Sequence, residues 1–175
     1  MNYYQETDFI ESKKRRNTML TIFFVALGLY LVASAIFLVF YLRLPYQSDK
    51  IPALKWSHHA VTIVAIIGLF FYMGLPFKRA NNYYKMLLNM KTGVHETSTA
   101  SFFEYDETLQ EKDGVDCKAL VFLEWNKYKK DIFERKVMVL YDKPFPEFKE
   151  NDTVRFVTQG NVLISYEILE EGEDK

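Results

Sequence analysis

Polar and apolar positions divide this chain into two kinds of territory. Residues 18–42 and 57–77 are apolar throughout and contain no Lys, Arg, Asp or Glu. A hydrocarbon layer of about 30 Å takes roughly 20 helical residues to cross. Each run is long enough and apolar on every side, so each is predicted to be a transmembrane helix. Tyr41, Tyr46 and Trp56 then fall at one membrane interface, where amphipathic rings are favoured. Residues 13–16 followed by apolar sequence have the outline of a signal peptide. The apolar part is too long for one, so the first run is read as a retained anchor.

Beyond residue 77 the pattern changes twice. Residues 78–92 mix Lys78, Arg79 and Lys85 with Tyr83, Met86, Leu87 and Met90 at helical spacing, which predicts a basic juxtamembrane helix that lies along the head groups or links rigidly to the next domain. From residue 94 onward the period is two. Residues 97–105 form a β-prone run, and 107–114 read as a charged turn ending in Asp113-Gly114. Val115, Cys117, Ala119, Val121, Leu123 and Trp125 give the next strand its apolar face. A third strand over 133–141 places Val137, Val139 and Tyr141 on one side. A Pro-containing connection over 142–152 follows, then a hairpin of 153–158 and 162–169 around Gln159-Gly160-Asn161.

Five strands arranged as a meander, a long connection and a hairpin suit a small barrel of the oligonucleotide/oligosaccharide-binding (OB) type or an SH3-like barrel. The predicted fold class is therefore membrane α plus all-β. The predicted domains are an N-terminal cytoplasmic segment (1–17), a first span (18–42), a short extracytoplasmic loop (43–56), a second span (57–77), the basic juxtamembrane helix (78–92), a cytoplasmic barrel (93–170) and an acidic tail (171–175). The N-terminal segment is expected to be a short interfacial helix or a tail. In plan the chain resembles bacterial membrane proteins of the NfeD type, which carry a small cytoplasmic barrel after their membrane helices. That likeness is of architecture and assigns no functional residue.

Charge gives these segments an orientation. Lys13, Lys14, Arg15 and Arg16 precede the first span, and Lys78, Arg79, Lys85 and Lys91 follow the second, against Arg43, Lys50 and Lys55 in the loop. The bias favours both termini in the cytoplasm. Residues 78–91 have a net charge of +4 and residues 92–175 one of −8. A basic collar suits an anionic inner leaflet, and an acidic domain is a poor match for nucleic acid. The lone Cys117 permits no intrachain disulfide, which agrees with a reducing compartment. The abundance of Lys, Asn, Tyr, Phe and Ile suggests a bacterium with AT-rich coding, which with the apolar runs places the chain in a bacterial inner or plasma membrane.

Candidate chemistry is sparse. His58 and His59 are polar residues at a membrane edge; neighbours on a helix point about 100° apart, so a metal site there needs a second subunit. Cys117 shares the apolar phase of its strand and is expected to be inert. His95 and Glu96 are adjacent on a strand and face opposite ways. The acids Glu104, Asp106, Glu107, Glu111, Asp113 and Asp116 lack EF-hand spacing. No Walker loop, GxGxxG, GxSxG, HExxH or CxxC occurs, and the 43–56 loop has no room for a channel filter. Rings beside positive charge (Trp125, Tyr128 and Phe133 with Lys127, Lys129 and Lys130) and the loop rings Phe145 and Phe148 are the candidate contact residues; the loop pair equally suits a lid on the barrel. Gly28/Ala35 and Ala26/Ala33 offer small surfaces for helix pairing.

The sequence therefore predicts a non-enzymatic two-pass protein of the cell membrane, with no cofactor. Its barrel is an adaptor or assembly module for a protein partner or a second copy, not for nucleic acid. The alternative is a subunit of a small homo-oligomeric channel or transporter complex. The absence of charge inside the spans weighs against that alternative.

Overall fold

A computed structural model describes residues 1–45, 47–126, 130–141 and 143–172. Tyr46, Lys127, Tyr128, Lys129 and the end of the acidic tail (173–175) lie outside the described residues. The chain forms two compact units, Lys13–Asn81 and the combination of Met1–Ser12 with Asn82–Lys175.

Helix α1 spans Glu6–Arg43 and α2 spans Lys50–Tyr72. Both are long and apolar enough to cross a membrane, and no residue in their most apolar windows is buried. Polar contacts tie them as a hairpin. The Tyr30 hydroxyl donates to Thr62 Oγ1 at 3.2 Å, and the Tyr72 hydroxyl donates to the Met19 carbonyl at 3.1 Å. Pro76 lacks an amide hydrogen, and the helix accommodates it by widening into a π turn over Met73–Phe77. Helix α3 then covers Lys78–Thr92.

The second unit is built on five strands: β1 (Glu96–Lys112), β2 (Val115–Asn126), β3 (Asp131–Leu140), β4 (Thr153–Gln159) and β5 (Val162–Glu170). They close as a barrel in the order β1-β2-β3-β5-β4. Neighbours are antiparallel except β3 and β5, which meet in parallel at Met138 and Val162. Two-residue turns with positive φ at both centres, Asp113-Gly114 and Gly160-Asn161, fix the hairpin registers. The tight first turn corrects the expected charged loop at 107–114. β1 continues through Lys112, with register shifts after Phe102 and after Asp106 that let so long a strand curl around the barrel. A Cβ at Gly114 would strike the Asn82 side chain, so α3 lies directly on this turn.

Strand β2 is buried on both faces. Leu120 and Phe122 point into the barrel with Phe102, Val137, Val139, Val154, Phe156 and Leu163. The rings of Phe122 and Phe156 lie 4.4 Å apart, and Phe102 meets Phe122 edge-on at 5.7 Å. Val115 and Cys117 instead face outward, into a second cluster with Met86, Leu87 and Met90 of α3. Thus the set read from sequence as the apolar face of this strand begins outside the barrel, because α3 covers it. The same packing turns the apolar side of α3 onto the sheet instead of onto head groups.

Residues 6–17 of the N-terminal segment are the first turns of α1, and the residues before them pair with the barrel. Asn2 bridges Ser165 of β5, the Tyr3 amide donates to the Ile164 carbonyl at 2.9 Å, and the Tyr166 amide donates to the Met1 carbonyl at 3.0 Å. Residues 1–3 therefore act as a short extra strand on the edge that β5 leaves open. The Tyr3 hydroxyl donates to the Pro144 carbonyl at 2.8 Å, and Lys143 pairs with Asp8 at 2.6 Å. Lys143 also sits over the Tyr4 ring at 4.7 Å. Burial raises the pKa of both tyrosines above the usual phenol value, so both stay neutral in the folded protein.

The ring of Phe122 has no exposed surface and touches three other aromatic rings. We expect Phe122→Ala to lower the stability of the barrel by about 3–5 kcal/mol, read from urea unfolding of the detergent-solubilised chain by its β-sheet circular dichroism.

Candidate functional site at the open end of the barrel

Inward positions on β3 follow the phase of Val137 and Val139, and Arg135 is next in that phase. Its side chain is only 11 % exposed. It donates to Ser98 Oγ at 2.7 Å, to Glu96 Oε2 at 2.9 Å, to Glu124 Oε2 at 3.2 Å and to Thr158 Oγ1 at 3.4 Å. Its Cζ lies 5.5 Å from the centre of the Phe156 ring. One guanidinium thus joins the start of β1, the end of β2, β3 and the end of β4 beneath the aromatic core. A planar, forked donor group suits this task, because its two terminal nitrogens reach four separate acceptors. Sequence reasoning missed Arg135, although its phase with two buried valines was a usable signal.

Above Arg135 lies an open depression of about 660 Å³ lined by Glu96, Glu124, Phe133, Glu134, Lys136 and Met138 among others. Beside it, the end of the β2–β3 hairpin is apolar and exposed. Trp125 pairs across the strands with Ile132, and Glu124 pairs with Phe133. Trp125 and Ile132 are each 58 % exposed and Phe133 is 42 % exposed. Cross-strand partners share a face, so both faces of the hairpin end carry a large apolar group. Tyr128, expected beside Trp125, lies outside the described residues.

The other expected contact residues take different places. Phe148 is 7 % exposed and packs within the barrel core against Phe102, Phe122 and Tyr166. Phe145 is half-buried, with its ring 4.8 Å from Tyr105 and Lys118 Nζ 4.1 Å above it. The Tyr105 hydroxyl holds the connection in place by accepting the Phe148 amide at 2.6 Å and bonding the Phe148 and Pro146 carbonyls. Phe148 is thus buried in the core and Phe145 half-buried beside Tyr105, a placement that suits the lid alternative. The lid is completed by Asp152, whose buried carboxylate accepts the amides of Lys149 at 2.8 Å and Gly172 at 2.7 Å.

Elsewhere on the barrel one exposed ion pair stands out. Lys136 bonds Asp106 at 2.8 Å and, with Thr108, holds that carboxyl well below the usual range. Among the described residues, no group of three or more His, Cys, Asp and Glu is placed to hold a metal ion. Cys117 has no exposed surface, and burial pushes its thiol up to about 11, which removes the thiolate at neutral pH. His95 Nε2 lies 2.7 Å from the Met90 carbonyl and closes the end of α3, while Glu96 turns to Arg135. In the helical hairpin, His58 Nε2 lies 3.3 Å from Ser34 Oγ. Lys13, Lys14, Arg15, Lys78, Arg79 and Lys85 are exposed, and Arg16 is half-buried. The Tyr72–Met19 bond brings the end of α2 beside the start of the apolar part of α1, so Lys13–Arg16 and Lys78–Arg79 flank the same end of that hairpin.

No protein family, curated protein or solved structure matches this chain.

Truncating Arg135 leaves Glu124 short of its partner and opens space under Phe156. We expect Arg135→Ala to destabilise the barrel by about 2–3 kcal/mol, below the range for a deeply buried pair because Glu96 is largely solvated. Arg135→Met, which keeps the apolar stem, should cost less in the same urea experiment.

Proposed function

We propose that this chain is a two-pass membrane protein whose cytoplasmic OB-type barrel is an adaptor that docks a protein partner on the exposed end of the β2–β3 hairpin. The strand order, with β1 beside β4 and a parallel β3–β5 contact, favours the OB type over an SH3-like barrel. The membrane reading is supported by the outward display of Phe24, Leu29, Val64 and Phe70, which a helix in a soluble core would bury. It is supported again by the shared sheet of residues 1–3 and β5. The segments on either side of the apolar runs build one unit, so the stretch between them must cross the bilayer an even number of times, and two spans satisfy that. The basic flank at the open end of the hairpin favours the cytoplasmic leaflet for this side.

The observation that carries the docking reading is the exposure of Trp125 and Ile132 on one face of the hairpin end and of Phe133 on the other, with Glu124, Glu134 and Lys136 beside them. Aromatic anchors ringed by charge are the usual composition of a protein-binding surface. The partner implied has apolar pockets and a mixed polar rim. Because Arg135 is already paired with two carboxylates, its charge is not available to a phosphate chain.

Two measurements test this. After an alkaline wash and ultracentrifugation the full chain should remain in the membrane pellet, and protease added outside sealed cells should leave the barrel intact. Release into the supernatant, or loss of the barrel, overturns the placement. For docking, a photoreactive benzophenone residue replacing Trp125 or Ile132 in cells should capture the same protein from both positions, and none from the exposed Glu147 position. Phe133→Ala should weaken that capture about tenfold, the scale of one aromatic anchor. Adducts with lipid alone, or unrelated adducts from the two positions, overturn the docking reading.

A further inference from the structure

The loop end of the helical hairpin contains a cleft of about 330 Å³ between α1 and α2. Ser34, Phe37 and Tyr41 line it from α1, at the spacing of one helix face. Leu54 and His58, four apart, and Lys55 and His59, also four apart, line it from α2. Adjacent histidines diverge around a helix, yet this cleft is wide enough for both to reach its wall. His58 stands against the Phe37 ring at 5.4 Å and against Ser34 Oγ at 3.3 Å, which fixes the imidazole in the cleft. Lys55 Nζ lies 5.6 Å from the centre of the Tyr41 ring and makes no ion pair among the described residues.

The lining is chemically lopsided. It holds one ammonium, two imidazoles and two hydroxyls, and no carboxylate. Phe37, Leu38 and Leu54 give the same cleft an apolar wall. Trp56, beside Lys55, is exposed and suits the interfacial depth of a bilayer. Donors and a cation at that depth, over an apolar wall, complement a group with a negative head and a hydrocarbon tail.

We propose that this cleft binds the phosphate of an anionic glycerophospholipid from the loop-side leaflet. Lys55 supplies the charge, His58, His59 and Ser34 supply hydrogen bonds, and one acyl chain lies along Phe37 and Leu54. The proposal rests on the membrane reading above and adds to it a specific lipid site.

The test uses the full chain in mild detergent, stripped of lipid and then titrated with phosphatidylglycerol, phosphatidylcholine or inorganic phosphate, with bound molecules counted by native mass spectrometry. One phosphatidylglycerol should be retained, at least tenfold more tightly than phosphatidylcholine. Lys55→Met, a change at an exposed position, should abolish that preference without altering the circular dichroism. His58→Gln should weaken retention severalfold, and Trp56→Ala should leave the preference intact. Equal retention of the two lipids, unchanged binding in Lys55→Met, or displacement of the lipid by millimolar inorganic phosphate overturns the site while leaving the membrane reading in place. A chain that stays dispersed without detergent overturns both.

Discussion

Burial of β2 on both faces is the constraint on which the soluble unit depends. Inward, Leu120 and Phe122 complete the aromatic interior; outward, Val115 and Cys117 lie beneath Met86, Leu87 and Met90. A strand packed on one face can slip by two residues and keep its pattern. Here the tight turn at Asp113-Gly114, packed against Asn82, removes that freedom. That fixed register sets the hairpin end, where Trp125 and Ile132 emerge, and it carries Glu124 to Arg135.

The barrel is closed by different means at different points. Between β1 and β4 a regular ladder does it, from Glu96–Thr158 to Ser101–Thr153. Between β3 and β5 the strands barely meet, and residues 1–3 pair with the exposed side of β5 while Lys143 and Asp8 clamp the adjoining loop. Over the core, Phe148 and Phe145 form a lid held by a tyrosine hydroxyl. At the end near Glu96, a guanidinium replaces apolar filling. A small sheet with unpaired edges invites pairing with other chains, and each of these devices removes an edge or a gap.

Much of this was legible in the residues, for identifiable reasons. Two charge-free runs can only be apolar helices of that length, and period-two alternation marked β2 and the last hairpin. Asp113-Gly114 and Gly160-Asn161 advertised their turns because positive φ selects Gly, Asp and Asn. What escaped depended on tertiary context. Residues 107–112 looked like a loop because an exposed strand may be made of charged and polar residues. Residues 1–3 are too few for any periodicity, and only an open edge gives them a structure. The orientation of β2 misled because both its faces are apolar, and which one is interior depends on where α3 lands. The exposure of Trp125 follows from its place at a strand end; the burial of Phe148 was not legible, since a ring in a Pro-flanked loop serves equally as lid or contact.

The pairing of residues 1–3 with β5 has a consequence for biosynthesis. Tyr3 bonds Ile164, a residue made late in translation, after both apolar helices and four of the strands. Contacts so distant in sequence close late. Residues 1–3 therefore have no strand partner until β5, the last strand, has been made. Nascent chains halted before residue 164 carry every other strand of the barrel yet have nothing for their first residues to hold.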